Sequence, residues 1–172
     1  AATLLGDLNE RFGVLEAPAA AMLGHQRYFE LLSAGAGEAA SEFVIAQRAQ
    51  PVTPAVGIWT YTLGVHRMYN GRLGEAAGLA ALAVEQLRWR DGIGLLAAAV
   101  ALEACIAAQL GRVDEAERRL DALEPDQRAE PKAAMLLAET AAWIDVRRGR
   151  PQVAVATIEA AAEAAIGVEC HP

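Results

Sequence analysis

The sequence has few of the residues that cross-link small secreted proteins or perform covalent catalysis. Its 172 residues include two cysteines, three histidines and two serines, Ser33 and Ser41. Two cysteines cannot form a disulfide framework, and a chain of this length buries about two-thirds of its surface without one. Both serines lie beside predicted turns or helix starts, where serine commonly caps a helix.

Lysine and long apolar runs are scarce as well. The net charge is -7, and Lys132 is the only lysine among 15 cationic residues. The broad basic face that nucleic acid requires is therefore not expected. The best membrane-span candidate, Ile93 to Leu102, ends at Glu103 after about half the length that a bilayer needs. Because no secretory signal pattern opens the chain, we expect a cytoplasmic protein.

A turn motif recurs along the chain. Leu110 to Glu117 (LGRVDEAE) matches segments 70–77 (NGRLGEAA), 148–155 (RGRPQVAV) and, less closely, 34–40 (AGAGEAA). Glycine after an apolar-periodic run is typical of a helix C-terminus. The one stretch that alternates like a strand, Ile58 to Leu63, lies inside a helical segment. Each copy is therefore predicted to join two helices.

These signals predict an all-α chain of about nine helices. Proline or an expected N-cap such as Thr53 opens a helix, and glycine closes it. The predicted elements are a leading helix at 3–13 and four hairpins at about 18–49, 54–90, 93–123 and 131–166. Residues 125–130 are predicted to be a polar linker. Residues 1–172 would then form a single helical-repeat domain.

The second helix of each hairpin carries small or apolar residues at positions i, i+4 and i+7, which share one helix face. These sets recur every 37 to 40 residues and are Ala39/Phe43/Ala46, Ala76/Ala80/Ala83, Ala116/Leu120/Leu123 and Ala154/Ile158/Ala161. Repeats of this size bury their apolar faces only by stacking. The pattern predicts a right-handed superhelix, or solenoid, of antiparallel helical hairpins.

With the Leu63-Gly64 pair, this pattern resembles tetratricopeptide (TPR) repeats. The longer period and the Gly-Arg-Leu/Val-x-Glu-Ala turn look more like the helical repeats of large ATP-binding LuxR-type (MalT-like) bacterial transcriptional regulators. In that family an ATPase domain comes first, a helical-repeat sensor follows, and a DNA-binding helix-turn-helix comes last. The resemblance covers roughly residues 17–165. It implies a sensor segment, with the phosphate-binding loop and the DNA-reading helix outside this chain.

The last predicted helix suggests that the polypeptide continues. Terminal repeats of helical arrays usually have a polar outer face. This helix is rich in alanine instead, and its acidic residues are only Glu159, Glu163 and Glu169. We expect the natural polypeptide to extend on one or both sides of this segment.

The motifs for catalysis, metals and cofactors are weak. Residues 35–40 (GAGEAA) match a dinucleotide-binding pattern, but a predicted helix precedes them and no acid lies between Glu42 and Glu75. Cys105 lies in an apolar helix, where an inert thiol is expected. Residues 169–171 (ECH) supply too few ligands for structural zinc. We therefore predict no enzymatic activity, no metal and no cofactor.

The region from Phe43 to Gly74 combines arginines with aromatic residues and contains no acid. First helices of repeat hairpins line the concave binding surface of such arrays. Arginine and aromatic residues recognise anionic or sugar-like ligands and peptide carboxylates, and they anchor protein contacts. The candidates for a ligand or partner groove are Arg27, Tyr28, Trp59, Tyr61, His66, Arg67, Tyr69 and Trp89.

The alternative is that the aromatic residues of this region fill the core, in gaps left by Gly64 and the alanines. Trp89 is a separate case because it lies at a predicted helix end between Arg88 and Arg90. It is the best candidate for an exposed anchor.

Two functions fit the sequence. The first is a non-enzymatic protein-interaction or effector-sensing module of a cytoplasmic bacterial transcriptional regulator, LuxR-type by resemblance. Such a module would contact a protein, a peptide, a small effector or neighbouring domains of its own polypeptide. The second is a free-standing TPR-like adaptor or scaffold for a peptide or protein partner. Neither function requires this segment to contact nucleic acid or a membrane.

Overall fold

The computed structural model describes residues 17–49 and 56–169, which are helical apart from short connections. The helices are α1 (Ala17–Ser33), α2 (Gly37–Arg48), α3 (Val56–Tyr69), α4 (Leu73–Trp89), α5 (Leu96–Gln109), α6 (Val113–Asp121), α7 (Pro125–Arg128), α8 (Pro131–Arg147) and α9 (Pro151–Glu169). These ranges contain no strand, so the all-α prediction is confirmed. The predicted helix at 3–13 and the predicted cap at Thr53 lie outside the described residues.

The four repeated turns share one backbone geometry. At the third turn, the N–H of Gly111 donates to the carbonyl of Ala108, and the N–H of Arg112 donates to that of Ala107. Equivalent bond pairs close the other turns. The central glycines have φ between 73° and 80° and are Gly35, Gly71, Gly111 and Gly149. This is a Schellman motif, in which a left-handed glycine lets the last helical carbonyls find donors.

The turn glycines also correct the predicted register of the first hairpin. The residue five positions after each glycine is a buried alanine, and the four are Ala40, Ala76, Ala116 and Ala154. The predicted set Ala39/Phe43/Ala46 is therefore wrong by one residue. Ala39 is exposed, whereas Ala40 and Val44 are buried. The Glu-Ala pair lies one residue closer to the turn glycine in this copy than in the next two, and the buried helix face follows the distance from the glycine.

Two predicted boundaries also change. The helix expected to start at Ile93 begins at Leu96. Ahead of it, the carboxylate of Asp91 accepts hydrogen bonds from the N–H groups of Leu95 at 2.9 Å and Leu96 at 2.8 Å. In the predicted polar linker, residues 125–128 form the short helix α7, which Glu124 opens with a capping box. In both places, hydrogen bonds between a local side chain and backbone N–H groups determine where the helix begins.

The helices pack in the order of the chain. Four hairpins form from α1 with α2, α3 with α4, α5 with α6, and α8 with α9. The second helix of each hairpin also contacts the first helix of the next one, and successive first helices contact one another. Contacts are therefore made chiefly between neighbours, as expected for repeated units.

The largest apolar cluster lies where α3, α4 and α5 meet, and it extends to the start of α8. Close packing there depends on small residues. A Cβ on Gly64 would lie 3.1 Å from Cδ2 of Leu102 and 3.6 Å from the backbone nitrogen of Ala80. The absence of a side chain at Gly64 therefore allows these helices to approach closely. Among the described residues, no helix is both long and apolar enough to cross a membrane.

Candidate functional site

Trp59, a predicted groove residue, lies in the core. Its indole is buried and packs edge-to-face on Phe43, with 5.9 Å between ring centroids. It also lies over Gly24 of α1, where an added Cβ would be 2.8 Å from Cζ2 of the indole. The indole therefore joins α1, α2 and α3 and is not available to a ligand.

Tyr28 and His66 are also buried, between α1 and α3. The phenol of Tyr28 shares a 3.2 Å hydrogen bond with Nδ1 of His66. Beside them, the hydroxyl of Thr62 donates to the carbonyl of Ile58, which leaves its oxygen to accept from Nδ1 of His25 at 3.0 Å. These bonds satisfy polar groups inside the contact between the first two hairpins.

Burial sets the ionisation of this polar cluster. Because desolvation disfavours charge, it lowers the pKa of His25 and, together with the nearby Arg67 cation, that of His66. Burial raises the pKa of Tyr28 to about 12. Both imidazoles are therefore neutral at pH 7, a state that suits packing between helices.

Tyr61 and Tyr69 lie near a carboxylate from a distant hairpin. Tyr61 is buried, while Tyr69 is exposed and its phenol donates to Oε1 of Glu139 at 2.7 Å. Desolvation of the hydroxyl groups, followed by the influence of Glu139, raises the pKa of both phenols, including that of Tyr69, whose ring stays exposed. Glu139 belongs to α8, so this contact joins the second and fourth hairpins.

Both predicted groove arginines are ion-paired. Arg27 lies 3.2 Å from Glu30 on its own helix, and Arg67 lies 3.5 Å from Glu75 at the start of α4. The acid-free sequence between Phe43 and Gly74 therefore does not make an acid-free surface. Glu75 and Glu139 reach the region from outside it.

Trp89 is the most exposed large apolar residue among those described. It lies at the end of α4 and is 77% exposed. The neighbouring Arg88 and Arg90 are exposed as well. The prediction that Trp89 is on the surface is confirmed, and its use as an anchor remains a prediction.

An open groove of about 750 Å³ runs between α2, α3 and α4. Its polar lining consists of Arg48, the Arg67–Glu75 pair and Gln86. Gly78 forms part of its wall, and a Cβ added there would meet nothing within 4 Å. Of the eight predicted site residues, Arg67 alone lines this groove.

A second groove, of about 460 Å³, lies on the outer side of the last hairpin, and we call it the C-terminal groove. Its lining is mainly apolar and consists of Glu139, Ala142, Trp143, Val146, Pro151, Ala154, Val155, Ile158 and Glu159. Trp143, Val146 and Ile158 are 38%, 43% and 36% exposed. None of these lining residues was a predicted site residue.

Equivalent positions in the preceding hairpin are covered. Counted from the turn glycine, Trp143, Val146 and Ile158 correspond to Cys105, Ala108 and Leu120. Cys105 and Ala108 are fully buried, and Ile144 of α8 packs in one cluster with Ala108, Ala116 and Leu120. The C-terminal groove is thus the face that receives a following helix in the third hairpin.

The sequence contained a signal for this groove. The scarcity of charge on the last helix predicts an apolar outer face there. That signal did not extend to Trp143 and Val146, which belong to the other helix of the hairpin. Finding them requires counting positions from each turn glycine.

Among the described residues, the thiol of Cys105 is buried in a helix contact. Burial raises the pKa of Cys105 to about 11, and its sulfur accepts from Gln109 at 3.5 Å. A thiol in this state is protonated at neutral pH and weakly nucleophilic. Gly35 ends the helix α1, so a helix rather than a strand leads into the dinucleotide-like pattern. Within 17–49 and 56–169, no three His, Cys, Asp or Glu residues form a metal-binding group.

Comparisons with protein-family models, with characterised proteins and with solved structures find no match.

Proposed function

We infer that this chain is a non-enzymatic interaction or effector-sensing module, built as a stack of helical hairpins. The observation that carries this proposal is the C-terminal groove. Trp143, Val146 and Ile158 are exposed at positions that the next hairpin covers in the preceding repeat. Contiguous exposed apolar surface of this kind marks contact sites.

The proposed architecture is a right-handed, TPR-like superhelix. Four turns of the same geometry, and contacts made chiefly between neighbouring hairpins, support it. In such a stack each hairpin presents one face to the preceding hairpin and another to the following one. The last hairpin then keeps a face that suits a further helical element or a partner.

A non-enzymatic role is supported by the state of the candidate reactive groups. The thiol of Cys105 is buried, and the imidazole of His66 is hydrogen-bonded to the phenol of Tyr28. An acid–base or nucleophilic mechanism needs such groups beside an open site, within hydrogen-bond reach of one another. Among the described residues, Cys105 and His66 pack between helices instead.

Our preferred context is a cytoplasmic LuxR-type bacterial regulator, in which the module contacts a protein, a peptide, a small effector or adjacent domains. The turn motif and the repeat period support this context. The alternative is a free-standing adaptor that binds a peptide or protein. The reading frame on both sides of the segment discriminates between them, since flanking ATPase and DNA-binding domains belong to the first context alone.

Site-specific photo-crosslinking in the full-length polypeptide tests the module function. A photoreactive phenylalanine analogue would replace Trp143 in one version and Trp89 in another. We expect cross-links to a defined partner or neighbouring domain from position 143. A third version would carry the analogue at Arg48 in the first groove. The proposed function would be overturned if none of the three positions gave cross-links and the protein turned over substrates in a hydrolase panel.

A further inference from the structure

The protein contains its own example of a helix seated in a groove of this type. On the third hairpin, α8 lies across α5 and α6. Ile144 of α8 packs against Ala108 and Ala116, and the hydroxyl of Thr140 reaches the carbonyl of Ala101 at 3.4 Å. Leu136 of α8 is buried in the main core as well. These contacts use residues spaced at helical intervals, as in other helix-in-groove complexes.

Ion pairs also join α6 to the following repeat. Asp121 lies 3.6 Å from Arg128 of α7, and Glu117 lies 2.6 Å from Arg148, which follows α8. In both pairs the acid lies on the hairpin that is covered, and the cation lies on the unit that covers it. The covering unit therefore brings cations to the rim of an apolar contact.

The C-terminal groove carries an acid in one of the two corresponding places. Glu159 occupies the position of Asp121, whereas Val155 occupies that of Glu117. A second acid, Glu139, lines the groove from α8. No cation is among the described residues that line the groove. The nearest arginines are engaged elsewhere, since Arg147 donates to the carbonyl of Gln109 and Arg150 lies 2.5 Å from Asp145.

We propose that the C-terminal groove binds an amphipathic α-helix whose apolar stripe is flanked by Lys or Arg, seated as α8 is seated on α5 and α6. This inference rests on the proposed function and names the partner chemistry of the same surface. Charge complementarity disfavours a second copy of this groove, which would bring Glu139 and Glu159 towards the same acids of its partner.

The floor of the groove also restricts the shape of the helix. Trp143 and Val146 stand where the preceding hairpin has the smaller Cys105 and Ala108. A helix at the same distance must therefore present small residues opposite them, because protein contacts are packed as densely as protein interiors. An alanine-rich stripe with basic flanks satisfies both requirements.

A designed peptide of about five helical turns tests the proposal. It carries alanine and leucine at positions i, i+3, i+4 and i+7 with arginine on both flanks, and a hydrocarbon staple compensates for the low helicity of short peptides. Binding of the fluorescein-labelled peptide to the whole chain is followed by anisotropy. We expect Ile158→Asp to weaken binding by about tenfold or more, equivalent to roughly 1.4 kcal/mol.

Two controls separate the groove from general stickiness. Ile45→Asp changes the same residue type at comparable exposure, 45% against 36%, on α2 of the first hairpin, and we expect affinity within about twofold of the parent. A peptide with glutamate flanks should bind the parent more weakly than the arginine peptide. Glu159→Lys should reduce or reverse that preference, while circular dichroism confirms that each variant is folded.

Several outcomes would overturn the proposal. Equal affinity for arginine- and glutamate-flanked peptides would show that charge does not select the partner. Unchanged binding by the Ile158→Asp variant would show that the peptide binds outside the C-terminal groove. A dimer in sedimentation that Ile158→Asp dissociates would show that a second copy occupies the surface. Cross-links from Arg48 but not from position 143 would also overturn it, while leaving the proposed interaction function in place.

Discussion

The phenol of Tyr69 donates a hydrogen bond to Oε1 of Glu139, 2.7 Å away and 70 positions along the chain. It joins the end of α3 to the middle of α8, across the face of α5. Both residues remain partly open to solvent, so this hydrogen bond contributes less to the stability of the fold than a buried one. It reports directly on how the second and fourth hairpins are arranged.

Removing either partner should lower stability only modestly. We expect Tyr69→Phe and Glu139→Gln each to reduce the free energy of unfolding by about 0.5–1.5 kcal/mol, as for ordinary hydrogen bonds. Urea unfolding of both single variants and the double variant measures their coupling. A coupling energy near zero would mean that the bond does not form in solution.

All three tyrosines should destabilise the fold at high pH. Burial raises the pKa of Tyr28 to about 12 and also raises the pKa of Tyr61 and Tyr69, whereas a tyrosine in the unfolded chain titrates near 10. The folded state therefore holds its protons longer, and stability falls as pH rises above about 10. Absorbance at 295 nm should show tyrosine ionisation together with the loss of helical circular dichroism. Ionisation near pH 10 with helicity intact would contradict this expectation.

The half-buried His25 and the buried His66 should have the opposite effect on the pH dependence of stability. Burial lowers the pKa of His25 and His66, so the unfolded chain binds protons first as pH falls through about 6.5. Their contribution is fully present above that pH and is lost below it. Comparing urea midpoints at pH 7.5 and 5.5 measures the loss. The double variant His25→Asn/His66→Asn should show a smaller difference between the two pH values than the parent.

Any side chain at position 24 should destabilise the fold while Trp59 is present. A Cβ at position 24 would lie 2.8 Å from Cζ2 of the indole, and overpacking of this kind costs about 1–3 kcal/mol. Trp59→Phe should recover part of the loss caused by Gly24→Ala. Thermal unfolding of the two single variants and the double variant tests this, and additive effects would exclude the contact.

Two helix-associated glycines should respond in opposite directions to alanine. Gly111 has φ +80, so Gly111→Ala should destabilise the protein by about 1–2 kcal/mol. Gly78 lies inside α4, and a Cβ there meets nothing, so Gly78→Ala should stabilise the protein by up to about 1 kcal/mol. Chemical denaturation of both variants compares them directly. A loss at Gly78 would indicate a close contact there that is absent from the fold described here.

Local signals in the sequence predicted most of the helices and the turns between them. The glycine turns at 34–40, 70–77, 110–117 and 148–155 each join two helices, as predicted. Glycine and proline determine such boundaries through their own backbone geometry, without help from distant residues. The start of α5 differs from the predicted Ile93 because the Asp91 carboxylate accepts a hydrogen bond from the N–H of Leu95. This capping contact spans four residues and has no signature in the sequence pattern.

Which residues form the candidate site could be determined only from the tertiary structure. Composition alone could not place Trp59 and Tyr28 in the core or leave Trp143 on the surface, because burial depends on which helices lie beside each residue. Glu139 likewise reaches Tyr69 only after the four intervening helices have packed. The sequence by itself determined the helices, their glycine turns and their repeat. Only packing decided which apolar and charged groups are enclosed and which stay open to a partner, since a helix face becomes buried only when another element covers it.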